Sequence, residues 1–197
     1  MSALEKVAEI ICRCSDCGLS KHRLKAVPGE GPEDAELFFI GEAPGWHEDQ
    51  QGRPFVGPAG QFLEELLVSI GLKRNAVYIT NVVKCRPPQN RDPLPEEMQS
   101  CKNWLDMQIE IIKPKMIVTL GRYSMARYFP KGTISRLHGT YRKEGNVIYY
   151  AMYHPAAALH QQSLRNAIQE DMLKIPSLLR STEIAEEKKE PEQLSMF

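Results

Sequence analysis

Several features that would assign a function at once are missing from this sequence. No apolar run reaches the roughly 20 residues that a membrane-spanning helix needs, and the N-terminal segment lacks a signal-peptide pattern. The glycine-rich segment 41–57 contains neither a G-x-x-x-x-G-K-[ST] nor a G-x-G-x-x-G pattern, which argues against the two commonest phosphate-binding loops. We therefore expect a cytoplasmic protein whose glycine-rich segment binds something other than a nucleotide triphosphate.

An excess of charge is missing as well, because 25 basic and 25 acidic residues cancel. Basic residues concentrate in segments 73–91 and 131–143, whereas glutamates outnumber lysines in the tail 181–197. Basic patches of this kind are compatible with binding to nucleic acid but do not establish it. At 197 residues, the chain is long enough for one domain with a hydrophobic core. We place this domain at residues 1–180 and predict that the charged tail 181–197 is disordered.

Four apolar segments alternate with amphipathic segments along the chain. They are predicted to be buried strands and cover residues 36–41, 76–83, 115–121 and 146–154. Strands that alternate with helices form a parallel sheet covered on both faces, so the predicted fold class is α/β. Glu42, Asn81 and His154 stand at the carboxyl ends of three of these strands, and such ends line one crevice in an open α/β sheet. We therefore expect these three side chains to face one site.

Five cysteines in a chain predicted to be cytoplasmic are more often metal ligands or buried thiols than disulfides. Cys14 and Cys17 form a C-x-x-C pair, and a proline-rich stretch separates Cys85 from Cys101. Four such thiolates could bind zinc or an iron–sulfur cluster, and their spacing does not separate the two. The alternative is that they are small buried side chains. Cys12 could replace Cys14 as a ligand, but it also fits the apolar face of the predicted N-terminal helix, which we prefer.

Several motifs, taken in their order along the chain, resemble those of a known family. They are CSDCGL from Cys14, GEAPGWHEDQQGRPFVGPAGQFL from Gly41, YITNVVKCRPPQNRDPLPEEMQSC from Tyr78, IVTLGRYSMA from Ile117 and YHPAAAL from Tyr153. Together they resemble the family-four uracil-DNA glycosylases, the iron–sulfur branch of the uracil-DNA glycosylase superfamily. The resemblance implies a three-layer α/β/α sandwich around a four-stranded parallel sheet. It also implies a [4Fe–4S] cluster on Cys14, Cys17, Cys85 and Cys101.

The same resemblance implies a monomeric repair enzyme that hydrolyses the N-glycosidic bond of uracil in single- or double-stranded DNA and leaves an abasic site. Phe55 is expected to stack on the flipped base, and Asn81 to read its edge, because a fixed carboxamide accepts from N3–H and donates to O4. His154 is expected to donate a hydrogen bond to O2 as negative charge develops there. The alternative is a non-catalytic iron–sulfur protein that binds nucleic acid or modified bases.

Other residues of the glycine-rich segment complete the expected pocket. Glu42 is the candidate for orienting the attacking water or stabilising the cationic sugar, since Ala43 occupies the position of the aspartate in better-known uracil glycosylases. Glu48 is expected to stand near uracil C5, where the methyl group of thymine would clash. Backbone amides around Ala43 and Gly45 are expected to contact the base or a phosphate.

Three departures from related sequences bear on the handling of DNA. The segment that often carries arginine before glycine has His138 instead, and the loop after the His-Pro pair has few bulky residues. Leu159 is the remaining candidate for a wedge, so insertion into a duplex should be weak and single-stranded substrates relatively favoured. Residues 84–101 contain no KRRIH-type insertion, and we therefore expect turnover and not covalent trapping of DNA.

The chain ends in QLSMF, which resembles the motif by which bacterial repair and replication proteins bind the sliding clamp. Leu194, Met196 and Phe197 could enter an apolar groove while Gln193 hydrogen-bonds at its rim. The alternative is an uninvolved tail, because five-residue matches also occur by chance.

Overall fold

The computed structural model describes residues 1–159 and 161–187. Its helices are α1 (Ala3–Arg13), α2 (Trp46–Gln51), α3 (Pro58–Ser69), α4 (Pro95–Ile112), α5 (Arg122–Ala126), α6 (Ile134–Leu137) and α7 (Gln162–Glu187). Its strands are β1 (Leu37–Gly41), β2 (Tyr78–Asn81), β3 (Met116–Leu120), β4 (Tyr141–Glu144) and β5 (Val147–Met152). The predicted alternation of strands and helices is thus confirmed for most of the chain.

The strands form one sheet in the order β2-β1-β3-β5-β4. Neighbours among β2, β1, β3 and β5 are parallel, whereas β4 pairs with β5 in the antiparallel direction at the edge. The prediction of a four-stranded, wholly parallel sheet is therefore wrong, because the sheet has a fifth strand that is antiparallel and lies at its edge. All four residues of β4 are exposed, and three are charged, so no apolar pattern marks this strand in the sequence. A two-residue turn at Gly145 and Asn146 joins it to β5, and charged edge strands of this kind resist pairing with other chains.

Side chains alternate between the two faces of β1, which explains why this strand is apolar throughout. Leu37 and Phe39 belong to a core cluster that includes residues of α3 and α7. Phe38 and Ile40 belong to a second cluster that includes Leu105 of α4. The sheet is thus covered by helices on both faces, and its carboxyl edge is left open for a site.

Helix α1 begins with a capping box, in which the side chains of Ser2 and Glu5 bond reciprocally to backbone amides. Val7 and Ile11 are buried in a small cluster against Trp104 of α4. Cys12 is exposed, so its predicted place on the apolar face is wrong. One residue beyond Ile11 is a rotation of about 100° around the helix, which turns Cys12 away from α4.

Helix α7 continues to Glu187, so residues 181–187 are helical where the sequence predicts a disordered tail. The glutamates, alanine and isoleucine of this stretch permit a helix, because most of them are good helix formers. The remaining tail, with Gln193, Leu194, Met196 and Phe197, lies outside the described residues. None of the helices in the described ranges is both long and apolar enough to cross a membrane.

Candidate active site

A pocket of about 290 Å³ opens at the carboxyl edge of the sheet. One side is formed by the segment that follows β1, which we call the glycine-rich wall (residues 41–57). The opposite side is formed by the loop after β2, which we call the proline-rich wall (residues 86–94). The lining residues are Glu42, Ala43, Pro44, Gly45, Glu48, Phe55, Ala59, Asn81, Pro87, Asn90, Arg91, His154 and Ala156. Glu42, Asn81 and His154 therefore face one site, as their places at strand ends predict.

Asn81 ends β2 and is almost fully buried, with 1% of its surface exposed. Its Oδ1 is buried and has no hydrogen-bond partner within the described chain. An unpaired buried acceptor is costly and is rarely retained without a function. The carboxamide is also closely packed, since a Cβ atom at Gly41 would overlap Asn81 Oδ1 and lie 2.7 Å from the Phe55 ring. Glycine at position 41 thus lets both side chains approach the end of β1.

Phe55 lies on the glycine-rich wall with its ring stacked on the imidazole of His154. The ring centroids are 5.5 Å apart and the ring planes differ by 27°. Phe55 is only 6% exposed, whereas Trp46 on the same wall is 52% exposed. Phe55 is therefore a buried ring that borders the pocket, and Trp46 is the aromatic side chain that this wall presents to solvent.

His154 follows β5 and is neutral at physiological pH. Burial lowers the pKa of His154 to about 4, although the negative charge of Glu48 acts in the opposite direction. The backbone N–H of Ala156 donates to His154 Nδ1 over 3.1 Å. Because Nδ1 accepts this bond, the proton of the neutral ring is on Nε2, which can donate a hydrogen bond.

Glu48 binds backbone amides from both ends of the glycine-rich wall. Its Oε1 accepts from the N–H groups of Val56 and Gly57, each over 2.9 Å, and its Oε2 accepts from the N–H of Gly45 over 3.1 Å. The carboxylate is thereby fixed where it lines the pocket. The Gly45 amide, which we expected to contact the base or a phosphate, already donates to Glu48.

Glu42 is half-buried beside an ion pair between Arg122 and Asp92. Burial raises the pKa of Glu42, and the negative charge of Asp92 raises it further, whereas Arg122 lowers it. Arg122 Nη2 and Asp92 Oδ2 are 2.5 Å apart. The pocket thus places one carboxylate of increased basicity next to a neutral imidazole and an unpaired carboxamide oxygen.

Comparison with known proteins gives a consistent assignment. The family profile described as the Uracil DNA glycosylase superfamily matches residues 28–174. The chain is 48% identical to the Type-4 uracil-DNA glycosylase of Sulfurisphaera tokodaii over 90% of this chain and 86% of that protein. It is 47% identical to that of Archaeoglobus fulgidus, over 90% and 94% of the two chains, and 44% identical to that of Saccharolobus solfataricus, over 93% and 90%.

The chain belongs to the uracil-DNA glycosylase superfamily. The resemblance to the family-four branch is confirmed, because these three relatives, which are 44–48% identical to this chain, are Type-4 uracil-DNA glycosylases by name. The pocket that contains Asn81, Phe55 and His154 therefore lies in a domain of this superfamily.

Four of the five cysteines, Cys14, Cys17, Cys85 and Cys101, are linked by packing or through Arg23. Cys85 and Cys101 are buried in one core cluster, and Cys17 packs against it. Arg23 Nη1 donates to Cys85 Sγ over 2.9 Å, and Arg23 Nη2 donates to the carbonyl of Cys14 over 2.8 Å. Burial raises the pKa of Cys101 to about 11. Burial also raises the pKa of Cys85, although the Arg23 hydrogen bond lowers it.

The four cysteines also bear comparison with the side-chain arrangement that holds a single metal ion. In residues 1–159 and 161–187, no group of three or more His, Cys, Asp or Glu side chains is arranged to hold a metal ion. The donor chemistry of Cys14, Cys17, Cys85 and Cys101 suits a zinc ion or an iron–sulfur cluster, because both take thiolate ligands.

Three residues of the proline-rich wall that the sequence motifs did not single out also line the pocket: Pro87, Asn90 and Arg91. Gln89 and Asn90 both have φ of 55°, so the chain turns sharply here through two residues in the left-handed region. Arg91 binds Glu97 through two hydrogen bonds of 2.9 and 2.7 Å. One feature of the sequence could have indicated these residues. Their loop follows β2 directly, so it lies at the same edge of the sheet as Asn81.

Leu159, the predicted wedge, ends a short 3-10 helix that begins at Pro155 directly after His154. Its side chain is 41% exposed. His138 lies elsewhere: its Nδ1 is 2.7 Å from Oδ2 of the buried Asp171 of α7. The wedge assignment of Leu159 stays a prediction.

Proposed function

We propose that this chain is a uracil-DNA glycosylase of DNA repair, which hydrolyses the N-glycosidic bond of uracil in DNA and leaves an abasic site. The observation that carries the proposal is the unpaired Asn81 Oδ1 in a pocket that also holds Phe55 and a neutral His154. The Type-4 relatives, which are uracil-DNA glycosylases by name, support it.

Recognition begins when uracil leaves the base stack and enters the pocket. Phe55 contacts one face of the base, Asn81 Oδ1 accepts from N3–H, and the amide nitrogen of Asn81 donates to O4. Cytosine presents the reverse pattern on this edge and would leave both groups unpaired, which permits discrimination of about 10⁴ or more. The fixed carboxylate of Glu48 stands against C5, where the methyl group of thymine would clash.

Cleavage breaks the bond between N1 of uracil and C1′ of the sugar, and the electron pair leaves with the base. The negative charge that develops on O2 is stabilised by the Nε2–H of His154, and loss of such a donor typically costs about 10²–10³ in rate. Glu42 orients the water that attacks C1′ and stabilises the positive charge of the sugar. Its raised pKa suits acceptance of the proton that the water loses. The backbone amide of Ala43 contacts the base or an adjacent phosphate.

The test of this function uses oligonucleotides with a single uracil, cytosine or thymine, followed by alkali cleavage at abasic sites. We expect strand scission with uracil alone, in single-stranded, U·G and U·A substrates. The Asn81→Ala variant should lose about 10⁴ in kcat/KM. The matched control is Asn166→Ala, which removes an exposed carboxamide from α7, outside the pocket. Absence of scission by the wild type on every uracil substrate would leave a non-catalytic nucleic-acid-binding protein as the better assignment.

We further propose that Cys14, Cys17, Cys85 and Cys101 hold a [4Fe–4S] cluster. When bound, the cluster supplies structural cross-linking and no redox step in hydrolysis. Bound there, it would join Cys14 and Cys17 after α1 to Cys85, which precedes the proline-rich wall, and to Cys101 in α4. Four irons per chain and a broad absorbance near about 400 nm are expected. A colourless protein that contains zinc would contradict this assignment.

The C-terminal residues carry a separate proposal, that QLSMF binds the bacterial sliding clamp. Leu194, Met196 and Phe197 supply the apolar anchors and Gln193 the polar contact. Deletion of residues 193–197 should abolish binding to the clamp in a surface-bound assay without changing uracil release from a short oligonucleotide. Equal clamp affinity of the truncated and full-length chains would contradict the proposal. The proposal includes a monomeric, cytoplasmic enzyme in which the tail gives access to replicating DNA.

A further inference from the structure

The backbone of Phe55 has a conformation that needs support. Its φ is 49°, in the left-handed region that residues with a side chain seldom adopt. Such conformations persist where neighbouring groups hold them, and they concentrate at functional sites. The carbonyl of Phe55 is also crowded, because a Cβ atom at Gly60 would overlap its oxygen.

Arg74 supplies the support for the two carbonyl groups at this point of the chain. Its Nη1 donates to the carbonyl oxygen of Phe55 over 3.0 Å, and its Nη2 donates to that of Pro54. The Arg74 side chain is only 15% exposed, and its Nη2 also lies 3.4 Å from Glu30 Oε2. A guanidinium group is rigid and planar, so two donors on one fork fix the relative position of two acceptors.

The backbone amide groups that follow Phe55 are held by a different side chain, Glu48. Glu48 Oε1 accepts from the N–H groups of Val56 and Gly57, the two residues after Phe55. The carbonyls of Pro54 and Phe55 are thus bound by a partly buried cation, and the amides of Val56 and Gly57 by a carboxylate. The backbone of Phe55 is held on both sides by these two groups.

We infer that Arg74 is a positioning residue for the glycosylase reaction, which acts through Phe55 by holding its ring against the flipped base. Arg74 is in a short 3-10 helix (Arg74–Ala76) before β2 and is not among the residues that line the pocket. Its Nε is buried and has no partner within the described residues, so part of its hydrogen-bonding capacity is given up to reach both carbonyls. The inference rests on the proposed function, because it assigns a role in that reaction.

Arg53 provides a matched control. Its Nε and Nη2 donate to the same Glu30 carboxylate over 3.1 and 2.8 Å, and 55% of its side chain is exposed. Arg53→Gln therefore removes a guanidinium from the same ion-pair network while it leaves the Arg74 bonds to the Phe55 and Pro54 carbonyls in place.

The experiment is a double-mutant cycle on single-turnover uracil release from a single-stranded oligonucleotide. Arg74→Lys keeps the charge beside Glu30 but replaces the fork by one nitrogen. We expect a loss of about 10- to 100-fold in rate, the size of effect that a small misplacement of a contact group produces. Arg53→Gln should remain within about twofold of the wild type. In the Phe55→Ala background, Arg74→Lys should change the rate by no more than about twofold, because no ring remains to be positioned.

Melting curves accompany each variant, so that rates are compared between folded proteins. Arg74→Gln is the second variant. It should lose more of the rate of uracil release than Arg74→Lys does, and this loss should again disappear in the Phe55→Ala background. A folded Arg74→Lys enzyme with the wild-type rate would overturn the inference. So would an equal loss in the presence and absence of the Phe55 ring, which would indicate a general structural role. Lack of uracil release by the wild type would instead count against the proposed function.

Discussion

The two walls of the pocket are held in place in different ways. The glycine-rich wall is fixed by hydrogen bonds between side chains and backbone groups, three at Glu48 and two at Arg74. The proline-rich wall is joined to the rest of the chain by two ion pairs, Arg91 with Glu97 and Asp92 with Arg122, and Cys85 directly precedes it. The first wall is therefore held by contacts within the chain, whereas we expect the second to depend as well on the cluster proposed for the cysteines.

The largest effect should follow from loss of that group. Cys101→Ala removes one of the four proposed ligands, and loss of a structural metal site belongs to the mutations that cost more than about 4 kcal/mol. For a chain of this size, we expect the melting temperature to fall by about 10 °C or more. Hydrogen exchange should accelerate in residues 86–94 and remain slow in residues 53–57. Activity should fall as well, because Asn90 and Arg91 line the pocket.

Cys12→Ala is the matched control for this comparison. Cys12 is exposed and precedes Cys14 by two residues, so its loss should leave both the absorbance and the exchange pattern unchanged. Equal acceleration of exchange in both walls of Cys101→Ala would break the proposed distinction between them. Loss of the absorbance in Cys12→Ala would show that Cys12 replaces Cys14 as a ligand.

The second effect concerns the glycine-rich wall. Glu48→Ala removes the acceptor of three backbone amides, and hydrogen bonds to a charged group contribute about 1.5–3 kcal/mol each in favourable cases. Because Glu48 is only partly buried, we expect a total loss of about 3 kcal/mol in the free energy of unfolding, measured by denaturant titration. Here the exchange pattern should be reversed, with residues 53–57 accelerated and the cluster absorbance intact. Glu64→Ala, an exposed change on α3, should leave stability within about 0.5 kcal/mol of the wild type.

The parts of this site that could be predicted from the sequence are those fixed by strand geometry. Glu42, Asn81 and His154 converge because parallel strands end at one edge, and apolar runs located three of these ends. Arg74 could not be found in this way, because its bonds to Pro54 and Phe55 depend on the tertiary approach of two loops. The edge strand β4 was missed for another reason: it is charged and exposed and has no apolar periodicity. Hydrophobic patterns identify buried elements, whereas polar clamps and edges depend on contacts that the patterns do not record.

The third effect concerns the group that stacks on the glycine-rich wall, His154. Burial lowers the pKa of His154 to about 4 in the folded protein, whereas the ordinary value in an unfolded chain is near 6.5. Between pH 6.5 and pH 4, the unfolded chain therefore binds a proton at this histidine and the folded protein does not. The free energy of unfolding should decrease as the pH falls through this range, by about 3 kcal/mol at most. His154→Gln should remove this component of the pH dependence, as measured by denaturant titrations from pH 8 to pH 4. The rate should be insensitive to the protonation of His154 near neutrality. A fall in rate centred on pH 6.5 that disappears in His154→Gln would contradict a neutral donor.

The smallest effect should come from the ion pair between Arg91 of the proline-rich wall and Glu97 of α4. Glu97 is buried and accepts from Arg91 and from the backbone N–H of Leu94, so Glu97→Gln retains an oxygen for the amide while it loses the charge. Arg91 is 38% exposed in its side chain, and pairs open to solvent contribute about 0.2–1 kcal/mol. We expect a stability loss of about 1 kcal/mol, a decrease in uracil release of about fivefold or less, and retention of the cluster absorbance. The result decides what holds this wall. If Glu97→Gln released residues 86–94 as fully as Cys101→Ala does, the ion pair would be the main anchor, and both walls would be built by the protein alone.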